Sequence, residues 1–351
     1  MSLNSKPRPG WRRASAALAI SMAAALTACS SDSSDSSAGG AESSGELDTV
    51  ALSIYSVPSG LMAWFPYGME KGIFEKHGIE LELHFSATGA AGATAEVVGD
   101  QATFALSSAD SVMSGQAGGS DLQMFMGVTE AATLGLMVRD DSDIKDVSDI
   151  KGRKIGMAQG SLTAALFPAF LERHGLSPND VEAVNVAESA LAGLFVGNQV
   201  DGFISGLPAY QPQLAASGVK TRAFSYADVD IPNMYGLIGL GSTLKENPDL
   251  VRRMVTATAE SMEAANKDPE GAGQAVASNS PAAAVNPAVV AAQLEALEPF
   301  EQTPRTEGKP RGFMDEADWT DSLKIAEEYR GVEPGRLKIE DLYTNEFIDQ
   351  A

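Results

Sequence analysis

DIKGRKIGMAQGSLT, residues 149–163, holds a strand, a glycine turn and a helix start in quick succession. Ile155 and Met157 follow the turn at Gly152, and Gln159, Gly160 and Ser161 open a helix predicted over 162–173. Ser161 is the candidate N-cap, its hydroxyl oxygen accepting from a free backbone N–H of the first turn. Helix starts at strand ends gather unpaired N–H groups and the positive end of the helix dipole, and open α/β sheets place their ligand crevice along that edge. An ordinary βα unit reads the same way in isolation, so the flanking chain decides.

Upstream, strands are predicted at 49–56, 79–85, 103–106 and 122–128, alternating with helices at 61–76, 89–99 and 107–116. Downstream, strands at 181–186, 202–205 and 219–224 alternate with helices at 189–197 and from Ala209 onward. A strand at 234–240 follows, and then helices dominate: Asn247-Pro248 and Asn286-Pro287 are start signals, with a further helix over 315–329. Alternation of this kind predicts an α/β fold with mainly parallel sheets flanked by helices. A chain of 351 residues can form two lobes with separate cores. The pattern predicts lobe 1 from 49–133 plus 235–351, lobe 2 from 134–234, and a cleft between them.

Lys6, Arg8, Arg12 and Arg13 precede an apolar run over 14–26, the pattern of a secretory signal and too short to span a bilayer. The run ends in Leu26, Thr27, Ala28 and Cys29, which resembles the lipobox of bacterial lipoproteins. Residues 1–28 are therefore expected to be a signal peptide, and Cys29 the lipidated residue. Cys29 is the single cysteine, which rules out an internal disulfide. Residues 29–48, rich in Ser, Gly and acids, are expected to form a flexible tether. The formal charge of −22, from 25 basic against 47 acidic residues, repels nucleic acid and anionic surfaces.

Chemistry-bearing constellations are scarce. His77, His84 and His174 lack metal-ligand spacing, so no metal is expected; His77 and His174 sit instead in helix-ending contexts, KHGI and RHGL. The chain holds no G-x-S-x-G elbow and no phosphate loop, so neither catalytic residues nor a cofactor are expected.

Several runs, in order and spacing, resemble bacterial solute-binding proteins of ABC importers, the family of nitrate, aliphatic sulfonate, taurine and thiamine-pyrimidine receptors. They are GMEKGIFEKHGIELEL (68–83), GDQATFALSSADSVM (99–113), the opening stretch, LAGLFVGNQVDGFIS (191–205) and DLYTNEFI (341–348). The resemblance implies a type II periplasmic-binding-protein fold with two crossover segments and C-terminal helices returning to the first lobe. It also implies a small-molecule ligand passed to an ABC permease and its ATPase, by a monomer outside the cytoplasm held to the membrane through lipidated Cys29.

The candidate ligand-binding residues lie at predicted strand-to-helix edges: Trp64, Tyr67, Thr88, Ser107, Ser108, Asp110, Gln159, Ser161, Glu188, Ser205, Tyr210, Asn233 and Tyr235. Core packing competes as a reading for the aromatics, and N-capping for Ser107, Ser108 and Asp110. No arginine or lysine falls at these loop starts, although Arg139, Arg153 and Lys154 are near in sequence. That favours a flat nitrogen-bearing ring over a sulfonate, nitrate or aromatic carboxylate, with Trp64 as stacking wall and Glu188 accepting from an amino group. Two other classes compete. A pyrimidine-synthase-like enzyme would need a cysteine-rich motif that the chain lacks, and a surface lipoprotein without transport would not need polar and aromatic loop starts on two lobes.

Overall fold

The structure, a computed structural model, describes residues 47–86 and 88–348. The expected signal peptide, Cys29 and most of the tether lie outside the described residues.

Among the described residues, ten strands form two sheets of five. In chain order they are β1 (Asp48–Ile54), β2 (Ile79–Phe85), β3 (Phe104–Ser108), β4 (Leu122–Thr129), β5 (Leu134–Arg139), β6 (Lys154–Ala158), β7 (Glu182–Val186), β8 (Gly202–Gly206), β9 (Thr221–Ser225) and β10 (Tyr235–Leu240). The first sheet runs β2-β1-β3-β10-β4 and the second β7-β6-β8-β5-β9. The chain thus leaves the first sheet after Thr129 and returns to it at Tyr235. Each sheet is mixed: β10 pairs antiparallel with β3 and β4, and β5 pairs antiparallel with β8 and β9. In both cases the reversed strand is the one the chain enters straight after a crossing. β5 is absent from the predicted strands, because its LGLMVR continues an apolar stretch without a turn signal before it.

Both faces of the central strands are covered. Val50, Leu52 and Ile54 of β1 are wholly buried, and so is Ser53 between them, whose hydroxyl donates to Glu96 at 2.7 Å.

The helices are α1 (Trp64–Glu70), α2 (Ile73–Lys76), α3 (Gly89–Val98), α4 (Ala109–Ala117), α5 (Leu162–Arg173), α6 (Leu191–Val196), α7 (Leu207–Ala216), α8 (Gly241–Glu246), α9 (Pro248–Lys267), α10 (Pro269–Asn279), α11 (Pro287–Leu297), α12 (Glu316–Tyr329) and α13 (Ile339–Leu342). The helix predicted over 61–76 is broken into a single turn, Gly60–Met62, then α1 and α2, because Gly72 takes φ +68° between them. Every residue of α1 from Trp64 to Gly68 is buried. Gly68 permits this: a Cβ there would stand 2.2 Å from Ser261 Oγ on α9. His77 and His174 close α2 and α5 as predicted, each followed by a glycine at positive φ. α12 straddles the two sheets: Trp319 and Ala326 pack in the core of the first and Ile325 in that of the second.

Candidate functional site

Because β10 runs against its neighbours, its first residue falls at the edge where β3 and β4 end, with Tyr235 opposite Ser108 and Thr129. Tyr55, the residue after β1, reaches the same edge. The two rings stack, centroids 4.3 Å apart and planes 19° from parallel. Burial pushes the Tyr235 phenol up to about 12; the charges of Asp110 and Glu188 add to the rise and the Asn233 side chain opposes it. The Tyr55 phenol is raised well above its usual value by burial and then by Tyr235.

The second sheet carries a polar cluster of its own. Glu188 follows β7, Ser205 lies near the end of β8, and Tyr210 stands in the first turns of α7. The Ser205 hydroxyl donates to Glu188 Oε1 at 2.6 Å and the Tyr210 hydroxyl to the same oxygen at 2.9 Å. Burial, followed by the Glu188 charge, raises the Tyr210 phenol. Both hydroxyl hydrogens are spent on one oxygen of an exposed carboxylate. The cluster therefore presents acceptors, and what complements it is an N–H or O–H donor.

Other predicted residues are placed differently. Trp64 and Tyr67 are 0% and 6% exposed, so the wall expected of Trp64 is replaced by core packing. The physical reason is α1 itself, which is covered by α9 and α10; Trp64 Nε1 donates to Asn266 and the Tyr67 hydroxyl to Asp268. Ser107 is wholly buried and turned back toward α3, bonded to Thr94 and the Ala90 carbonyl. Ser108 caps α4 and Ser161 caps α5, accepting from Ser111 N and Ala164 N. Asp110 accepts from Nε and Nη2 of Arg330 at 3.0 and 3.2 Å. Asn233 is buried and accepts from Thr133 at 3.3 Å. Gln159 and Thr88 are exposed, and Thr88 makes no capping bond to α3.

A cavity of about 20 Å³, room for one water, is lined by Asp110, Leu162, Asn233, Ile325 and Arg330. It is too small for a ring; a roomier cavity of about 220 Å³ lies away from these residues, lined by Ala51, Val97, Gln101, Thr103, Leu240 and Thr243. Tyr55 is absent from the predicted set. The strand predicted over 49–56 placed it inside the strand, whereas β1 ends at Ile54 and leaves it at the edge.

Two mixed five-stranded sheets flanked by helices and joined by two crossings define the type II periplasmic-binding-protein class of fold. The periplasmic aliphatic sulphonate binding protein SsuA of Escherichia coli shares it, with a TM-score of 0.67 at 15% identity over 86% of this chain and 99% of that one. Within that class the chain belongs to the NMT1/THI5-like family, whose model matches residues 63–272. A Brucella abortus protein named as a binding protein is 24% identical over 217 residues, 57% of this chain and 62% of that protein. A Haemophilus influenzae protein named for thiamine biosynthesis is 30% identical over 172 residues, 48% of this chain and 51% of that protein. The chain thus spans about three fifths and about half of the length of these relatives. Solved structures alike in fold include several binding proteins.

Proposed function

We propose that the protein is the solute-binding component of an ABC importer, closing on a small flat ligand and presenting it to a permease and its ATPase. The observation that carries this reading is the pairing of the stacked Tyr55 and Tyr235 on one sheet with the Glu188, Ser205 and Tyr210 cluster on the other. The two sheets then correspond to a lobe of 49–133 with 235–351 and a lobe of 134–234, moving about the two crossings. An aromatic face and an acceptor carboxylate suit an aminopyrimidine-like ring, in keeping with the thiamine name of the Haemophilus relative. A sulfonate suits it less: Arg330, the cation that shares a cavity wall with Asn233, is already paired with Asp110. The reading involves no catalysis and a monomer.

Titration calorimetry with an aminopyrimidine, an aromatic carboxylate and an alkyl sulfonate tests the ligand class. Glu188→Gln should weaken the aminopyrimidine by roughly 1.5–3 kcal/mol, about tenfold or more, because the amide keeps one acceptor and adds donors. Tight sulfonate binding unaffected by this substitution would overturn the ligand class while leaving a receptor in place.

We further propose that Cys29, following the apolar run 14–26, carries the lipid that holds the protein outside the cytoplasm. Cys29→Ser should abolish lipid labelling and release the protein from membranes. Labelling that persists in the variant would remove the anchor from this account.

A further inference from the structure

Apart from the two crossings, the two sheet bodies touch through α12 and through α7, which lies against α11 and the Gly60–Met62 turn. At the second contact stands Gln293 of α11, 8% exposed, with both ends of its amide in use. Its Oε1 accepts from Gly60 N at 3.0 Å and its Nε2 donates to the Ala209 carbonyl at 2.8 Å. The two bonds differ in what they join. Val290, Leu294 and Leu297 fix α11 in the core of the first sheet, and Gly60 backs onto it so closely that a Cβ there would stand 2.4 Å from Gln293 Cβ. Ala209 belongs to α7, whose Leu207 and Leu214 pack in the core of the second sheet. The next residue, Tyr210, holds Glu188.

We infer that Gln293 is a latch between the lobes, one peptide unit away from the ligand-facing Tyr210. Opening the cleft leaves its bond to Gly60 intact and breaks its bond to Ala209, so the amide favours the closed arrangement even without ligand. The amide serves both partners: a carboxylate keeps the acceptor for Gly60 N and loses the donor for Ala209, and leucine loses both. The same bond sets the position of Tyr210, so Gln293 acts as a positioning residue for the site. The inference rests on the two-lobe receptor reading for its purpose, but its test needs no ligand.

The test uses the full chain with Cys29→Ser and spin labels at Ala215→Cys on α7 and Ala288→Cys on α11, both exposed positions. Label separations are measured without ligand. The parent should give one narrow separation. Gln293→Leu should add a longer one, raising the open-to-closed ratio roughly fivefold for the loss of one net hydrogen bond. Gln293→Glu should open at pH 7 and reclose when the carboxyl is protonated and can donate again, a return that an unfolded variant would not show. Unchanged separations in both variants would overturn the latch. Opening in the leucine variant with a glutamate variant that stays closed at pH 7 would also overturn it, since the contact would then be packing. Failure of the receptor reading is seen separately, in the titrations of the Glu188 variant.

Discussion

Trp64→Ala should cost about 3–5 kcal/mol of stability, the range for deleting a fully buried large aromatic side chain, and more than Tyr55→Ala, whose ring is only partly buried against the same core. Trp64 is 0% exposed, so its loss leaves a hole beneath α9 that the surrounding helices can only partly fill. It also strips a partner from Asn266, whose amide donates to both oxygens of the buried Glu301 at 2.9 and 3.0 Å. Glu301 in turn is paired with Arg311, so the tryptophan borders a chain of polar groups whose middle member, Glu301, is buried. Urea unfolding midpoints measure the difference. A Trp64→Ala midpoint close to that of the parent would return this residue to the cleft, as its position in the sequence first suggests. Tyr55→Ala should lower the midpoint less than Trp64→Ala does and, unlike it, lower the ligand affinity of the folded protein.

Glu130→Gln should stabilise the protein in alkaline solution. Glu130 lies in the first crossing, 3% exposed, with Thr306 Oγ1 donating to it and its own N–H bonded to the Phe300 carbonyl. Burial pushes its carboxyl from 4.5 up to about 8, opposed by the Thr306 bond, raised further by Asp318 and Asp315, and lowered by Arg311. The folded state therefore holds the proton more tightly than the unfolded chain does. Its stabilising contribution is full below about pH 4.5 and is lost as the pH climbs through about 8. Above that, the charged carboxylate opposes folding by at most roughly 5 kcal/mol, since each pH unit separating the folded and unfolded titrations is worth about 1.4 kcal/mol. Glutamine keeps an oxygen for Thr306 and carries no charge, so the variant should show a flatter stability curve and exceed the parent at pH 9. Thermal unfolding at pH 5, 7 and 9 decides it, and a glutamine variant less stable than the parent at pH 9 would contradict the assignment.

The sequence by itself carried the order of strands and helices apart from β5, because apolar period, glycine turns and Asn-Pro starts are local signals that survive without tertiary context. The Ser161 cap and the two histidine helix ends were legible for the same reason. Glu188, Ser205, Tyr210 and Tyr235 were also legible as an edge set, since a residue just past a strand end must stand on that side of the sheet. What the sequence could not decide was which candidates face open space. Trp64 and Glu188 both occupy loop starts, yet α9 and α10, placed some two hundred residues later, cover one and leave the other exposed. The reversal of β5 and β10, which brings Tyr235 beside Tyr55, depends on where the chain re-enters each sheet. Gln293 reads as one more polar residue on a helix until folding sets Gly60 on one side of its amide and Ala209 on the other. Burial and long-range pairing belong to elements distant in sequence, and only the tertiary structure brings them together.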